Sequence, residues 1–488
     1  MNRPLRIVLV KPFQPVVPAL CQPPLGLLQL AGGLRERFGE QVAVELHDLR
    51  LDQVDAEAFA AGLGGPVDVL GVSALNFEAA ESARLAGAVR RRHPAVRTAL
   101  GGPYAHSSEA RARADGVWDW IFHGEADREF AALVAATFFA EGDSAAVPGV
   151  SQRLADGAWQ TMPAAPTDRE LDDLPHPAWD MVRWSVYPQR PNMNGWLKGR
   201  RYAPLFTSRG CPYLCSYCHD LFGKGFRWHS PERVVDEIAL LHERWGIDEF
   251  QIIDDIFNLH KPRMRRIAEL VIERFGPRRL HFCFPNGIRA DILDEADLPL
   301  LADMGVYQMA IAIETVTDRL QDVTQKHLKL DRIPSLIAAA ERAGIRTKGF
   351  FMIGFPTETP AEIEATVAFA VGSELSFAGF YMVVPQEGTP IHALAMRESP
   401  EATAAVTIED FYNDAPWYQL AYGVDLRRIQ KRAFRRFFLR PRRMARIIRS
   451  VRPGSLVRGL AEFLRIAVVM DPVLGRRTLR PRRGGGDA

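Results

Sequence analysis

Three of the chain's five cysteines, Cys211, Cys215 and Cys218, fall in the stretch Arg209-Gly-Cys-Pro-Tyr-Leu-Cys-Ser-Tyr-Cys-His219. Their C-x3-C-x2-C spacing lets one short loop wrap three thiolates around one face of a cubane iron–sulfur cluster. No fourth cysteine is near enough in sequence to close the set. One iron of such a cluster would keep an open coordination site where a small molecule can chelate. Zinc fits less well: a structural zinc site wants four ligands, commonly as two separated pairs, and only His219 adjoins the loop. A disulfide would leave one thiol over. Cys21 and Cys283 stand apart and are expected to be small buried residues.

The elements that must position this loop follow from the apolar periodicity. After Tyr202, strands are expected at Ala203–Ser208, Phe250–Asp254, His281–Pro285, Tyr307–Ile313, Lys348–Ile353 and Gly379–Val384. Helices are expected between or after them at Pro231–Trp245, Pro262–Phe275, Glu295–Met304, Ile333–Ala343 and Pro360–Val371. Pro231 and Pro360 occupy first helical positions behind the caps Ser230 and Thr359. Six βα units fall short of a full (β/α)8 barrel of about 250 residues, so a partial, TIM-like (β/α)6 barrel is expected. Its functional groups belong at the carboxyl ends of the strands, and polar residues fall there: Asp254 and Asp255, Asn286 and Arg289, Glu314, and Gly354-Phe-Pro-Thr-Glu358. A carboxylate ending an apolar strand needs a partner, because an unpaired buried charge is expensive. A cationic or hydroxyl-bearing ligand supplies one; a neighbouring arginine is the alternative.

Ahead of that barrel, residues 5 to 140 also alternate strand and helix. The strands are Leu5–Val10, Val42–His47, Val67–Ser73, Val96–Leu100 and Val117–Phe122, with helices at Leu25–Phe38, Ala79–Arg92 and Asp127–Ala140. This α/β pattern implies a Rossmann-like, doubly wound parallel sheet, whose ligands sit beyond the carboxyl ends of the strands. The turns there are Ser73-Ala-Leu-Asn-Phe77, Gly101-Gly-Pro-Tyr-Ala-His106 and His123-Gly-Glu125. Glycine in such turns lets backbone approach a ligand closely, or simply makes the turn tight.

The cysteine loop resembles that of the radical S-adenosylmethionine (radical SAM) enzymes, and the whole of residues 5 to 390 resembles their cobalamin-dependent branch. The resemblance rests on the loop, on Pro23-Pro-Leu-Gly-Leu-Leu-Gln-Leu-Ala31, on the GG-x-x-x-H and Gly124-Glu125 turns, and on Arg435-Arg-Phe-Phe-Leu-Arg-Pro441. It implies a [4Fe-4S] cluster on Cys211, Cys215 and Cys218, with Tyr217 beside the SAM adenine. Asp254 or Asp255 would accept from the SAM amino group, Glu314 would bind the ribose, Gly354 would let backbone reach the adenine, and Asn286 and Arg289 would meet the carboxylate. Cobalamin would be held by Pro24, Leu25, Gly26, Ser73, Gly101, Gly102, His106, Gly124 and Glu125. The family's D-x-H-x-x-G motif, whose histidine ligates cobalt, is absent here, and Asn76 or Phe77 would lie near that lower face. The activity implied is methyl transfer to an unactivated carbon of a small metabolite or natural-product intermediate. In that scheme cobalamin takes a methyl group from one SAM, and a second SAM gives a 5′-deoxyadenosyl radical that activates the substrate. Radical rearrangement or oxidative cyclisation is the alternative.

The bulk properties agree with a globular enzyme. The chain has 488 residues, 47% hydrophobic and 25% charged, which accommodates several domains. The boundaries expected are 1–145 for the cobalamin-binding domain, 146–200 for a connector, 201–390 for the barrel and 391–488 for a basic helical extension. No secretory signal and no run long enough to span a membrane is visible, so a cytoplasmic location is expected, with an external electron donor such as flavodoxin or ferredoxin. The net charge of +2 conceals an asymmetry: residues 426–488 carry 19 Lys or Arg against 3 acids. Nucleic-acid binding is not expected, since no recognised fold surrounds the basic run. Peripheral membrane contact through Arg427–Arg440 is one reading of the tail. Packing of its aromatics on the barrel, with the arginines solvated, is preferred. Leu456–Met470 is expected to be an apolar helix and Pro481–Ala488 to be disordered. Trp179, Trp184 and Trp196 are expected to pack between domains.

Overall fold

Strand β1 (Leu5–Lys11) is buried at nearly every position, which requires neighbours on both edges and cover on both faces. It has them: β2 (Val42–Asp48) and β3 (Val69–Ser73) pair with it in parallel. Next come β4 (Arg97–Gly101), β5 (Trp120–Phe122), β6 (Val150–Arg153) and β7 (Trp159–Thr161), in the order β2-β1-β3-β4-β5-β6-β7. The first five strands are parallel and the last two antiparallel. The computed structural model describes residues 3–15, 21–164, 170–192, 194, 197–218, 221–406 and 416–450. It divides into two units, Met1–Pro191 with His219–Trp228, and Asn192–Cys218 with His229–Ala488.

In the first unit, five parallel strands were expected and five are present. The β6–β7 hairpin was not anticipated, because its strands of 4 and 3 residues fall in what reads as a connector. Asp156-Gly157 is nonetheless a hairpin-turn signal: Gly157 has φ 85°, and Leu154 N donates to Ala158 O at 2.8 Å. The helices Leu25–Phe38 and Ala79–Arg92 have the expected ends, and the third is shorter, Glu129–Phe138. Trp179 and Trp184 lie buried side by side within this unit, ring centroids 5.7 Å apart; Trp196 is outside the described residues.

The second unit is built on six parallel strands in strict chain order: β8 (Tyr202–Leu205), β9 (Glu249–Ile252), β10 (His281–Ile288), β11 (Val306–Glu314), β12 (Arg346–Ile353) and β13 (Phe377–Met382). Crossovers that are right-handed and always advance in one direction leave the connecting helices on one face. The helix Pro231–Trp245 starts at Ser230, whose side chain accepts from Arg233 N at 3.2 Å, and stops at left-handed Gly246. The helix Pro360–Gly372 opens with a Thr359/Glu362 capping box. Behind the sheet, the basic helix Leu426–Phe438 buries Leu426, Gln430, Ala433 and Phe437, and Phe434 meets Phe380 of β13 edge-on at 5.4 Å. The aromatics thus pack on the sheet while Arg428, Arg432 and Arg435 are exposed. Arg443 departs from the expectation of solvated arginines. It is buried, donates to the carbonyls of Leu375 and Phe437 at 3.0 and 2.6 Å, and stacks on Phe437. Leu456–Met470 and Pro481–Ala488 lie outside the described residues. No helix among the described residues is long and apolar enough to cross a membrane.

Candidate active site

The cysteine loop is pinned from several sides. Gly210 N donates to Asp255 Oδ2 at 3.1 Å, Ser216 N to Thr324 O at 2.8 Å, Ser216 Oγ to Val323 O at 3.0 Å, and Ile391 N to Ser216 O at 3.0 Å. Cys218 N closes a turn onto Cys215 O at 3.1 Å. Cys211 and Cys215 are half-buried, Cys218 is exposed, and none of the three is in a disulfide. Among the described residues no three His, Cys, Asp or Glu side chains converge on one ion. A cubane does not ask for that convergence, since its thiolates bind different irons, so the loop fits a cluster. Cys21 and Cys283 are buried as expected. Burial pushes the Cys21 thiol up to about 11 and that of Cys283 well above its usual value, which keeps both protonated and unsuited as ligands. His219, the adjoining residue that zinc would need, lies outside the described residues.

Tyr217, next to the last cysteine, turns inward. Its ring lies 5.8 Å from that of Phe355, and burial pushes its phenol well above the usual range. Lys326 joins it to the end of β11: Lys326 Nζ is 3.2 Å from Tyr217 Oη and 3.1 Å from Glu314 Oε1. Both ends of the Lys326–Glu314 pair are buried. Glu314 also has φ +65° at a register shift in β11, a strained conformation that the surrounding packing must hold. Sequence reasoning found Tyr217 and Glu314 and missed Lys326, which lies in a loop with no pattern of its own.

The remaining strand-end groups separate into engaged and accessible. Asp254 is buried and accepts from Thr207 N, Thr207 Oγ1 and Ser208 Oγ, each at 2.6 Å; burial raises its pKa against those bonds. Asp255 is partly exposed. Arg289, expected at a ligand carboxylate, is instead engaged by Asp291 at 3.0 Å and by the carbonyls of Lys326 and His327 at 2.8 and 3.1 Å. Its guanidinium covers the Tyr213 ring at 3.7 Å, a cation–π contact onto the cysteine loop itself. Asn286 is exposed and donates to Ile253 O at 2.6 Å. Gly354 has φ +88°, and a Cβ there would meet Leu426 Cδ1 at 2.4 Å, so packing demands glycine. Glu358 Oε2 accepts from Phe355 N at 2.9 Å and from Gly354 N, its Oε1 has no partner, and burial raises its carboxyl to about 7.

In the first unit, the loops after β3 and β4 are locked together. Ala74 N donates to Gly101 O at 3.0 Å and Tyr104 N to Ala74 O at 3.1 Å. Gly102, at φ +86°, has no room for a side chain: a Cβ would meet Ala74 O at 2.8 Å. Ser73 O receives Lys11 Nζ at 3.3 Å, and Lys11 pairs with buried Glu78. Asn76 Oδ1 accepts from Ser107 Oγ at 2.9 Å, and Phe77 is half-buried. Pro24 and Leu25 open the helix Leu25–Phe38, and Gly26 in its first turn is exposed with open space around it. His106, Gly124 and Glu125 line a cavity of about 260 Å³ together with Leu221, Phe222 and Arg227. Arg227 pairs with Glu125, one of its contacts being 3.4 Å. That pairing was not anticipated: the partners are 102 residues apart.

Residues 205–370, which carry the three-cysteine loop and most of the second sheet, match the sequence model of the Radical SAM superfamily. The chain is similar to an uncharacterized methyltransferase of Pyrococcus horikoshii, 26% identical over 449 residues, covering 91% of this chain and 94% of that protein. It is 29% identical over 368 residues to the cytidylyl-2-hydroxyethylphosphonate methyltransferase of Streptomyces wedmorensis, covering 68% of this chain and 67% of the relative. Among solved structures it shares its fold with the radical SAM methyltransferase TsrM from Kitasatospora setae, which has cobalamin and a [4Fe-4S] cluster bound. The TM-score is 0.65 at 22% identity, over 83% of this chain and 76% of that one.

Proposed function

We propose that the protein is a cobalamin-dependent radical SAM methyltransferase acting on a carbon of a small molecule. The observation that carries the reading is the disulfide-free Cys211/Cys215/Cys218 set beside the Tyr217–Lys326–Glu314 group, at the carboxyl end of a parallel sheet. When bound, the cluster supplies an electron that cleaves SAM, and cobalamin carries the methyl group. The protein's own residues position and shield. The Tyr217 ring, backed by buried Phe355, offers a surface to the adenine. Glu314 accepts from the ribose hydroxyls and is held in its strained conformation by Lys326. Of the two strand-end aspartates, Asp255 is the one with exposed surface for the SAM amino group; Asp254 holds the chain entering the cysteine loop through Thr207 and Ser208. Arg289 acts through Tyr213 to fix that loop, leaving Asn286 as the exposed donor.

For cobalamin, the first unit supplies a sheet in the order 2-1-3-4-5, which binds ligands where the strand order reverses. The tight turn at Gly102 and the cavity at His106, Gly124 and Glu125 support a ligand approached by these loops, with the cavity taking one part of it. Asn76 and Phe77, not histidine, belong to the loop expected under the cobalt. The electron donor is an external reductant of the flavodoxin or ferredoxin kind. Anaerobic incubation with SAM and reductant should give 5′-deoxyadenosine, and a product heavier by one CH2 marks methylation. A product without that gain would move the assignment to rearrangement or cyclisation.

A further inference from the structure

Along β12, burial alternates. Thr347, Gly349, Phe351 and Ile353 are buried, and Phe351 meets Phe369 of the helix Pro360–Gly372 edge-on at 6.3 Å. Lys348, Phe350 and Met352 therefore point to the opposite face of the sheet, where they are partly exposed. Met352 packs against the same apolar cluster as Tyr217, so this open face leads to the cysteine loop. Across the strands, Lys348 and Phe350 are flanked by Ala310 and Ala312 on β11 and by Phe377 and Gly379 on β13. Three of those four neighbours are small, and the Tyr381 ring lies over Gly379, where an added Cβ would meet it at 2.7 Å, so that Phe350 and Tyr381 form one aromatic wall. These two rings meet edge-on at 5.6 Å, and Tyr381 remains 45% exposed. A half-open apolar face of this kind is a ligand surface.

Lys348 is the anomaly in it. Lys11, Arg50, Arg289 and Lys326 each sit in a largely buried setting with a carboxylate partner. Lys348 has none among the described residues: its ammonium has the Phe350 ring at 5.2 Å and the Cys283 thiol as its surroundings. Burial lowers its pKa, as expected for a cation removed from water without a counter-charge. We infer that the open face of the second sheet binds a small-molecule substrate bearing an oxyanion (carboxylate, phosphate or phosphonate) through Lys348, with the substrate's apolar part against Phe350 and Tyr381. The inference rests on reading this face as the substrate side of the proposed methyltransferase.

The test is equilibrium titration of the anaerobically reconstituted full chain with phenylphosphonate and with benzoate, using benzyl alcohol as the uncharged control. Wild type should bind at least one of the two anions, and whichever binds more tightly identifies the class. K348M should weaken that anion at least tenfold and leave benzyl alcohol unchanged, while K348R restores most of the loss. Equal iron and sulfide content in K348M and wild type shows that the site has formed; K348Q replaces K348M if its cluster is lost. Anion binding by K348M as tight as by wild type overturns the inference, as does a wild type that prefers benzyl alcohol to both anions. The titration needs no turnover. A wild type that makes no 5′-deoxyadenosine therefore counts against the parent assignment, separately from this one.

Discussion

Two parallel sheets in one chain prepare their ligand sites in different ways. In the first unit the strand order reverses beside β1, and the parts proposed to face the ligand are turns: Gly102 without room for a side chain, and the Gly124–Glu125 turn with its Arg227 partner. In the second unit the strands run in chain order, and the site is made of side chains: three thiols, a buried Lys326–Glu314 pair and a tyrosine on a phenylalanine. The first site is shaped by backbone and the second by chemistry. The two should accordingly fail independently, and the largest effect belongs to the side-chain site. Changing Cys211, Cys215 and Cys218 together to serine should abolish 5′-deoxyadenosine formation, by at least about a thousandfold, because no iron ligand is left. Cobalamin retained after desalting should stay at the wild-type level. Joint loss of both cofactors would break the distinction.

Lys326→Met should come next. It leaves a buried carboxylate without its cation, a change that typically destabilises by about 3–5 kcal/mol where the pair is fully buried. The apparent KM for SAM should rise at least tenfold, with iron content maintained. In the first unit, Gly102→Ala forces a side chain against Ala74 O at a φ of +86°, and Arg227→Met removes the partner of Glu125. Each should lower retained cobalamin several-fold, measured by absorbance, while cluster iron is unchanged.

The smallest effect concerns Glu358. Its carboxyl is raised to about 7 in the folded protein from a usual 4.5, so the folded state binds more protons than the unfolded state between those values. Stability should therefore fall as pH rises through this window. Thermal melts of wild type should drop from pH 5 to pH 8 more than those of Glu358→Gln. Parallel curves would show that Glu358 is already ionised at pH 5.

The same contrast explains what could be read from the amino acids. The cluster loop was legible because its three ligands are close in sequence, and both sheets were legible because β-branched runs alternate with amphipathic helices. The helix Pro231–Trp245 could be placed to the residue from its serine cap, its proline and the glycine that stops it. Lys326 and the Glu125–Arg227 pair were not legible, because each depends on chain segments brought together by folding. The division of labour between Asp254 and Asp255 was hidden for a related reason. Adjacent residues at a strand end point to different surroundings, and only the fold shows that Thr207 and Ser208 occupy the first. The hairpin at Asp156-Gly157 was a signal passed over, not one that was missing.

Metal analysis of the anaerobically reconstituted protein, combined with product analysis after reduction in the presence of SAM, tests the assignment most directly. About four irons per chain and 5′-deoxyadenosine formed in a reductant-dependent manner are the expected results. Zinc in place of iron, or an intact iron cluster that leaves SAM uncleaved, would contradict it.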